Sequence, residues 1–136
     1  MMADARLADS ARRAAHLIMH KYAVGTQTWF EGHWGFQYYM EQAGAAPLNL
    51  RRPAAGPGEL LVIPASASNV RWPRREDVEI VRIMRMRVFP WLTTMSRGSG
   101  ACFYAADCGP LPFVFGRATP EPYALLRVLR PLGSLR

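Results

Sequence analysis

A chain of 136 residues, half of them hydrophobic, is one domain of ordinary size, with apolar material for a single core and too little for two. No apolar run approaches the roughly 20 residues that a helix needs to cross a bilayer. The start, Met1 to Arg6, lacks the apolar centre of a signal peptide, so a soluble chain is expected.

The net charge is +7 with a pI near 10.2. Of the 17 basic residues only Lys21 is a lysine, and the pairs Arg12-Arg13, Arg51-Arg52 and Arg74-Arg75 stand in separate segments. Such usage fits a GC-rich coding composition first and a surface facing anionic headgroups or lipid phosphates second. Neither paired zinc ligands nor an aromatic RNP motif accompanies the arginines, so nucleic acid is not an expected partner.

In chain order, Ala3 to Tyr22 reads as an amphipathic helix with Leu7, Ala11, Ala14, Ile18 and Tyr22 on one stripe. His16 and His20 lie one turn apart on it, a spacing compatible with a metal, but without a Glu-bearing zinc motif they read as a solvated or half-buried pair. Gly25 closes this region. Thr26 to Phe30 is a β-branched and aromatic run predicting a short strand, and Gly32 and Gly35 bracket a tight turn. From Trp34, Phe36, Tyr39, Met40 and Ala43 recur at helical spacing, and Gly44 stands where a left-handed cap is needed. Pro47 to Leu50 is a candidate second strand, and Arg51 to Gly58 a Pro/Gly-rich turn. Glu59 to Pro64 reads as a buried strand at the middle of the sheet.

Ala65 to Asp77 is expected to be a loop bearing Trp72, on the surface or folded back over the core as a packed lid. Val78 to Val88 alternates as a long strand, with Val78, Ile80, Met84, Met86 and Val88 on one face and Arg82 interrupting it. Pro90 ends the run. Ser96 to Gly100 is a turn before an aromatic strand, Ala101 to Ala106, which predicts an antiparallel hairpin. The prolines of Gly109 to Phe113 exclude a central ladder, and Tyr123 to Leu129 supplies a last strand. The fold class is α/β: a single small domain, with a central mixed sheet and helices packed on it. Residues 1–25 form an N-terminal helical segment, 26–130 the α/β domain and 131–136 a frayed tail.

Cys102 and Cys108 are too far apart for a redox CxxC motif and do not complete a zinc site, so buried free thiols are the first reading. No other metal or cofactor motif is present in the sequence, and neither a GxSxG, a Walker loop nor an HExxH occurs.

The stretch Phe30-Glu31-Gly32-His33-Trp34-Gly35-Phe36-Gln37-Tyr38-Tyr39-Met40-Glu41 resembles the soluble C-terminal region of bacterial membrane glycosyltransferases related to protein O-mannosyltransferases and aminoarabinose transferases. Phe103-Tyr104, Gly109 to Phe113 and Phe115-Gly116 resemble a second block of the same tail, and the likeness spans roughly Arg12 to Arg127. It implies a helix leading from a membrane part into the soluble tail, and a place on the extracytoplasmic face of the inner membrane. There a Cys102–Cys108 disulfide would be allowed, although the resembling proteins more often carry glycine and a bulky residue at these positions. The catalytic acids of such enzymes lie in a loop between membrane spans, a portion this chain lacks.

The expected function is therefore a non-catalytic domain or fragment of a polyprenyl-phosphate-sugar-dependent membrane glycosyltransferase. Its expected partners are the membrane part or a lipid-linked sugar. The alternative is a stand-alone α/β module that binds a carbohydrate or small polar ligand at the turn. Glu31, His33, Trp34, Gln37 and Tyr38 are the candidate ligand-binding residues, joined by Asp107 if its strand is adjacent. Glu31 and His33 have the chemistry of an acid/base pair, but core packing of the aromatic residues is the favoured reading and no catalytic residue is assigned.

Overall fold

The computed structural model describes residues 2–32, 34–49, 55–65, 67, 70–87, 91–93, 95–96, 101–102, 111, 113–116 and 119–132. Helix α1 (Met2–Lys21) precedes strand β1 (Thr28–Phe30), helix α2 (Trp34–Gln42) and strand β2 (Ala46–Pro47). Strands β3 (Leu60–Pro64), β4 (Val78–Met86), β5 (Leu92–Thr93), β6 (Met95–Ser96), β7 (Ala101–Cys102), β8 (Val114–Phe115) and β9 (Glu121–Val128) follow. Five strands form one sheet in the order β2-β1-β3-β9-β4. β1 is parallel to β2 and β3, whereas β9 is antiparallel to β3 and β4, so the sheet is mixed, as expected for the α/β class. The middle strand is β3, whose residues are all buried, in keeping with its unbroken apolar composition.

Side chains alternate across this sheet and separate two cores. On one face, Phe30, Leu60, Val62, Met84, Met86, Tyr123 and Leu125 meet Ala11, Ala14, Ala15 and Ile18 of α1 and Phe36 and Met40 of α2. The small stripe of α1 lets the helix approach closely. On the other face, Leu61, Ile63, Ala124, Leu126 and Val128 are covered by Ala55 and Leu132, with Trp29, Leu48, Val70 and Val78 at the margin. The helices therefore share one face, and irregular segments close the other. Leu132 lies in the stretch expected to fray, yet it is buried, and its N–H donates to the Ala55 carbonyl at 2.9 Å.

Three local readings need correction. β4 does not keep one face: a bulge between Ile80 and Arg82 shifts the register, so Val78 and Ile80 lie with Leu126 and Val128, and Arg82, Met84 and Met86 lie with Leu125 and Tyr123. One extra residue reverses the alternation, and around it Ile80, Val81 and Ile83 are exposed on this edge strand. The second strand is Ala46–Pro47, earlier than Pro47 to Leu50, because the cap of α2 fixes where the chain resumes. There Gly44 has φ +93° and the Ala45 N–H donates to the Met40 carbonyl at 2.9 Å, a Schellman closure. Ala43 is exposed, so the buried stripe of α2 is Phe36 and Met40 with Tyr39 beside it.

Other expectations agree. His16 and His20 are exposed with ring centroids 4.2 Å apart, and Trp72 lies at the surface. β6 and β7 pair antiparallel apart from the main sheet, and the turn expected between them, 97–100, lies outside the described residues. Among the described residues, no helix is long and apolar enough to cross a membrane.

Candidate functional site

The stretch after β1 is a strand end, a glycine turn and a helix start. The Glu31 N–H donates to the Val62 carbonyl at 3.0 Å, which carries the β1–β3 ladder one residue further. Gly32 then takes φ +134°, and a Cβ there would sit 3.0 Å from Pro64 Cγ and 3.2 Å from Phe36 Cδ1. Only glycine fits this corner, because any side chain would meet both the end of β3 and the first turn of α2. Phe36 is buried, with its ring edge-on to Phe30 at 6.2 Å and tilted against Tyr123 at 5.1 Å. The corner is thus filled by rings that belong to the core.

The sequence-derived candidates distribute as follows. Glu31 is partly buried at the strand end. Gln37 donates from Nε2 to Glu41 Oε1 at 2.9 Å, one helical turn on. Tyr38 is 58% exposed, on the side of α2 away from Phe36 and Met40, and its ring meets Tyr39 edge-on at 5.3 Å. Trp34 opens α2, but its side chain, like His33 and Asp107, lies outside the described residues. Cys102 belongs to β7, opposite Met95, while Cys108 is outside the description, and with it the expected pairing. Among the described residues, no group of three or more histidines, cysteines and carboxylates is placed to hold a metal.

A second polar group lies on the helix-facing side of β9. Glu121 and Tyr123 are two apart on β9 and so share the helix-facing side, opposite Met86 and Met84. Ser10 of α1 is buried, and its hydroxyl hydrogen-bonds to the Tyr123 oxygen. Burial pushes the Glu121 carboxyl up to about 7. Burial first, and the neighbouring Glu121 second, push the Tyr123 phenol above its ordinary range, while the Ser10 bond opposes them. A carboxyl that titrates near neutrality can take up or release a proton at working pH, a property found at functional sites and also at buried structural acids. The signal was in the sequence: extending the alternation of Tyr123 and Leu125 back by two residues puts Glu121 on the apolar face.

On the opposite face, Glu59 fastens a loop to the sheet. Its Oε2 accepts from Trp29 Nε1 at 2.7 Å and from the Gly56 N–H at 2.7 Å. A shallow cleft of about 90 Å³ beside it is lined by Tyr22, Thr26, Gly58, Leu60, Val81 and Arg127. That volume falls well below the ~300–1,000 Å³ of an ordinary small-molecule site.

Comparison with protein-family models, with curated proteins and with solved structures returns no match.

Proposed function

We propose that the chain is a non-catalytic soluble domain of a polyprenyl-phosphate-sugar-dependent membrane glycosyltransferase, the family that its two sequence blocks resemble. The observation that carries this reading is the corner at Gly32. The landmark residues of the first block, Phe30, Gly32, Phe36 and Met40, pack strand to helix. A block made of packing residues is the signature of a fold unit, whereas a catalytic block would direct its acids and bases at a common point. In this reading the domain meets the membrane part of the enzyme or an acceptor, and lipid-linked sugar is handled elsewhere.

The test is an incubation of the purified chain with radiolabelled polyprenyl-phosphate sugar and candidate acceptors. No transfer is expected. Turnover lost on Glu31→Gln, Asp107→Asn or Glu121→Gln would overturn the proposal and make the chain an enzyme in its own right.

A second reading, a module that binds carbohydrate, draws on Tyr38. Its exposed ring on α2 stands beside the Gln37–Glu41 pair, an aromatic platform with polar neighbours of the kind on which a sugar stacks. Binding to immobilised glycans that disappears in Tyr38→Ala, with unchanged melting, would favour it over the first.

A further inference from the structure

Beyond β4 the chain forms a two-stranded ribbon outside the main sheet, with Leu92 opposite Phe115 and Thr93 opposite Val114. The Gly116 N–H donates to the Trp91 carbonyl at 3.0 Å, which extends the ribbon to Trp91. Its side chains invert the usual order for a water-facing element. Trp91 is 72% exposed and Phe115 75%, and Phe113 and Leu111 are each about half exposed. Phe113 and Phe115, two apart and so on the same side of their segment, meet edge-on at 5.6 Å. By the Leu92–Phe115 register Trp91 alternates to the other side of the ribbon from Phe113 and Phe115, so both sides of the ribbon expose an aromatic ring, and exposed rings of this kind mark a place that meets an apolar or interfacial environment.

The charge beside the ribbon indicates which environment. Arg82, Arg85 and Arg87 are all exposed on or just after β4, and Arg87 is only four residues before Trp91, at most about 14 Å of extended chain. Among the described residues, neither Arg85 nor Arg87 is in an ion pair. Ile80 and Ile83, also exposed, interleave with these arginines. The bulge and the charges of β4 blunt strand-to-strand addition at this edge. Exposed tryptophan and phenylalanine flanked by arginines, on a chain of net charge +7, are complementary to a bilayer interface with anionic headgroups.

We propose that the Trp91–Phe113–Phe115 ribbon, with Arg85 and Arg87 at its base, is a docking surface for an anionic phospholipid bilayer. The rings enter the headgroup region and the guanidinium groups pair with lipid phosphates above it. Docking is independent of whether the chain serves a glycosyltransferase, and vesicles without sugar donor separate the two questions.

The experiment is co-sedimentation of the full chain with vesicles of phosphatidylcholine alone and of equimolar phosphatidylcholine and phosphatidylglycerol. Binding is expected to the anionic vesicles only, weakening with salt. Arg85→Gln and Arg87→Gln should each lower partitioning about fivefold. The double variant Trp91→Ser with Phe115→Ser should lose binding while keeping its circular dichroism. Should that variant misfold, brominated lipid provides a separate readout: it should quench tryptophan emission in the native chain and do so less in Trp91→Phe. Equal binding to neutral vesicles, retained binding by a folded double variant, or identical quenching in Trp91→Phe would each overturn the proposal. So would the absence of vesicle binding together with an oligomer that the aromatic substitutions dissolve, which would make the ribbon a contact between copies.

Discussion

The two faces of the sheet are built from different materials. The helix-covered face holds rings, methionines and the buried Ser10 and Tyr123, with Glu121 partly buried at the end of β9 on the same side. The opposite face has a core of leucine, isoleucine, valine and alanine, closed by loop residues such as Ala55 and Leu132, with Trp29 and its partner Glu59 at the margin. Each face carries one part-buried acid at its margin: Glu59 on the loop-closed side is held by two donors, Trp29 Nε1 and the Gly56 N–H, while burial raises the Glu121 carboxyl on the helix side.

That contrast is sharpest under substitution. Phe36→Ala removes a ring that touches both Phe30 and Tyr123, and it should cost about 3–5 kcal/mol in denaturant unfolding, with loss of the whole cooperative transition. If Phe36→Ala melted like the parent, α2 would not be sealing its face.

Next in size is the pH response of Glu121. Its folded carboxyl titrates at about 7 against an ordinary value of 4.5, so the folded state favours the protonated form. The contribution is fully present below about 4.5, falls as pH rises through this window, and is gone above about 7, amounting to at most roughly 3 kcal/mol. Glu121→Gln should flatten the decline in melting temperature between those limits and be the more stable protein above them. Parallel pH profiles for the two would show that Glu121 is solvated.

The smallest effect belongs to the loop-closed side. Leu132→Ala should cost about 2 kcal/mol, the low end for a buried leucine, because its neighbours can settle into the space. Hydrogen exchange should report the loss at the Leu132 amide, bonded to Ala55, before it reaches the amides of β3. Uniform acceleration across the sheet would make the two faces one cooperative unit.

What was legible in the sequence follows the range of the interactions. α1, β1, the Gly32 turn, α2 with its Gly44 cap and β3 are set by period, β-branching and glycine within a few residues, and they stand where the pattern puts them. The bulge in β4 left only one trace, Arg82 in an apolar phase, since the extra residue is defined against a partner strand some forty residues away. The place of β9 between β3 and β4 is set by pairing alone, and no local pattern encodes it. Of the candidate site, the corner was legible as geometry, but its occupants were not, because Phe36 and Pro64 come together only once β3 is in place. Glu121 was missed by beginning the last strand at Tyr123 instead of Glu121.

The position of β9 also constrains how the chain is made. Synthesis runs from α1 onward, so β3 and β4 leave the ribosome well before residues 121–128, which must lie between them. Until those eight residues emerge, β3 is paired only on its β1 side and β4 has no partner, so the nascent chain presents two open strand edges that a chaperone or another chain can bind. Ribosome-stalled chains halted before Glu121 should therefore be protease-sensitive throughout the sheet, and protection should appear in one step once Val128 has cleared the exit tunnel.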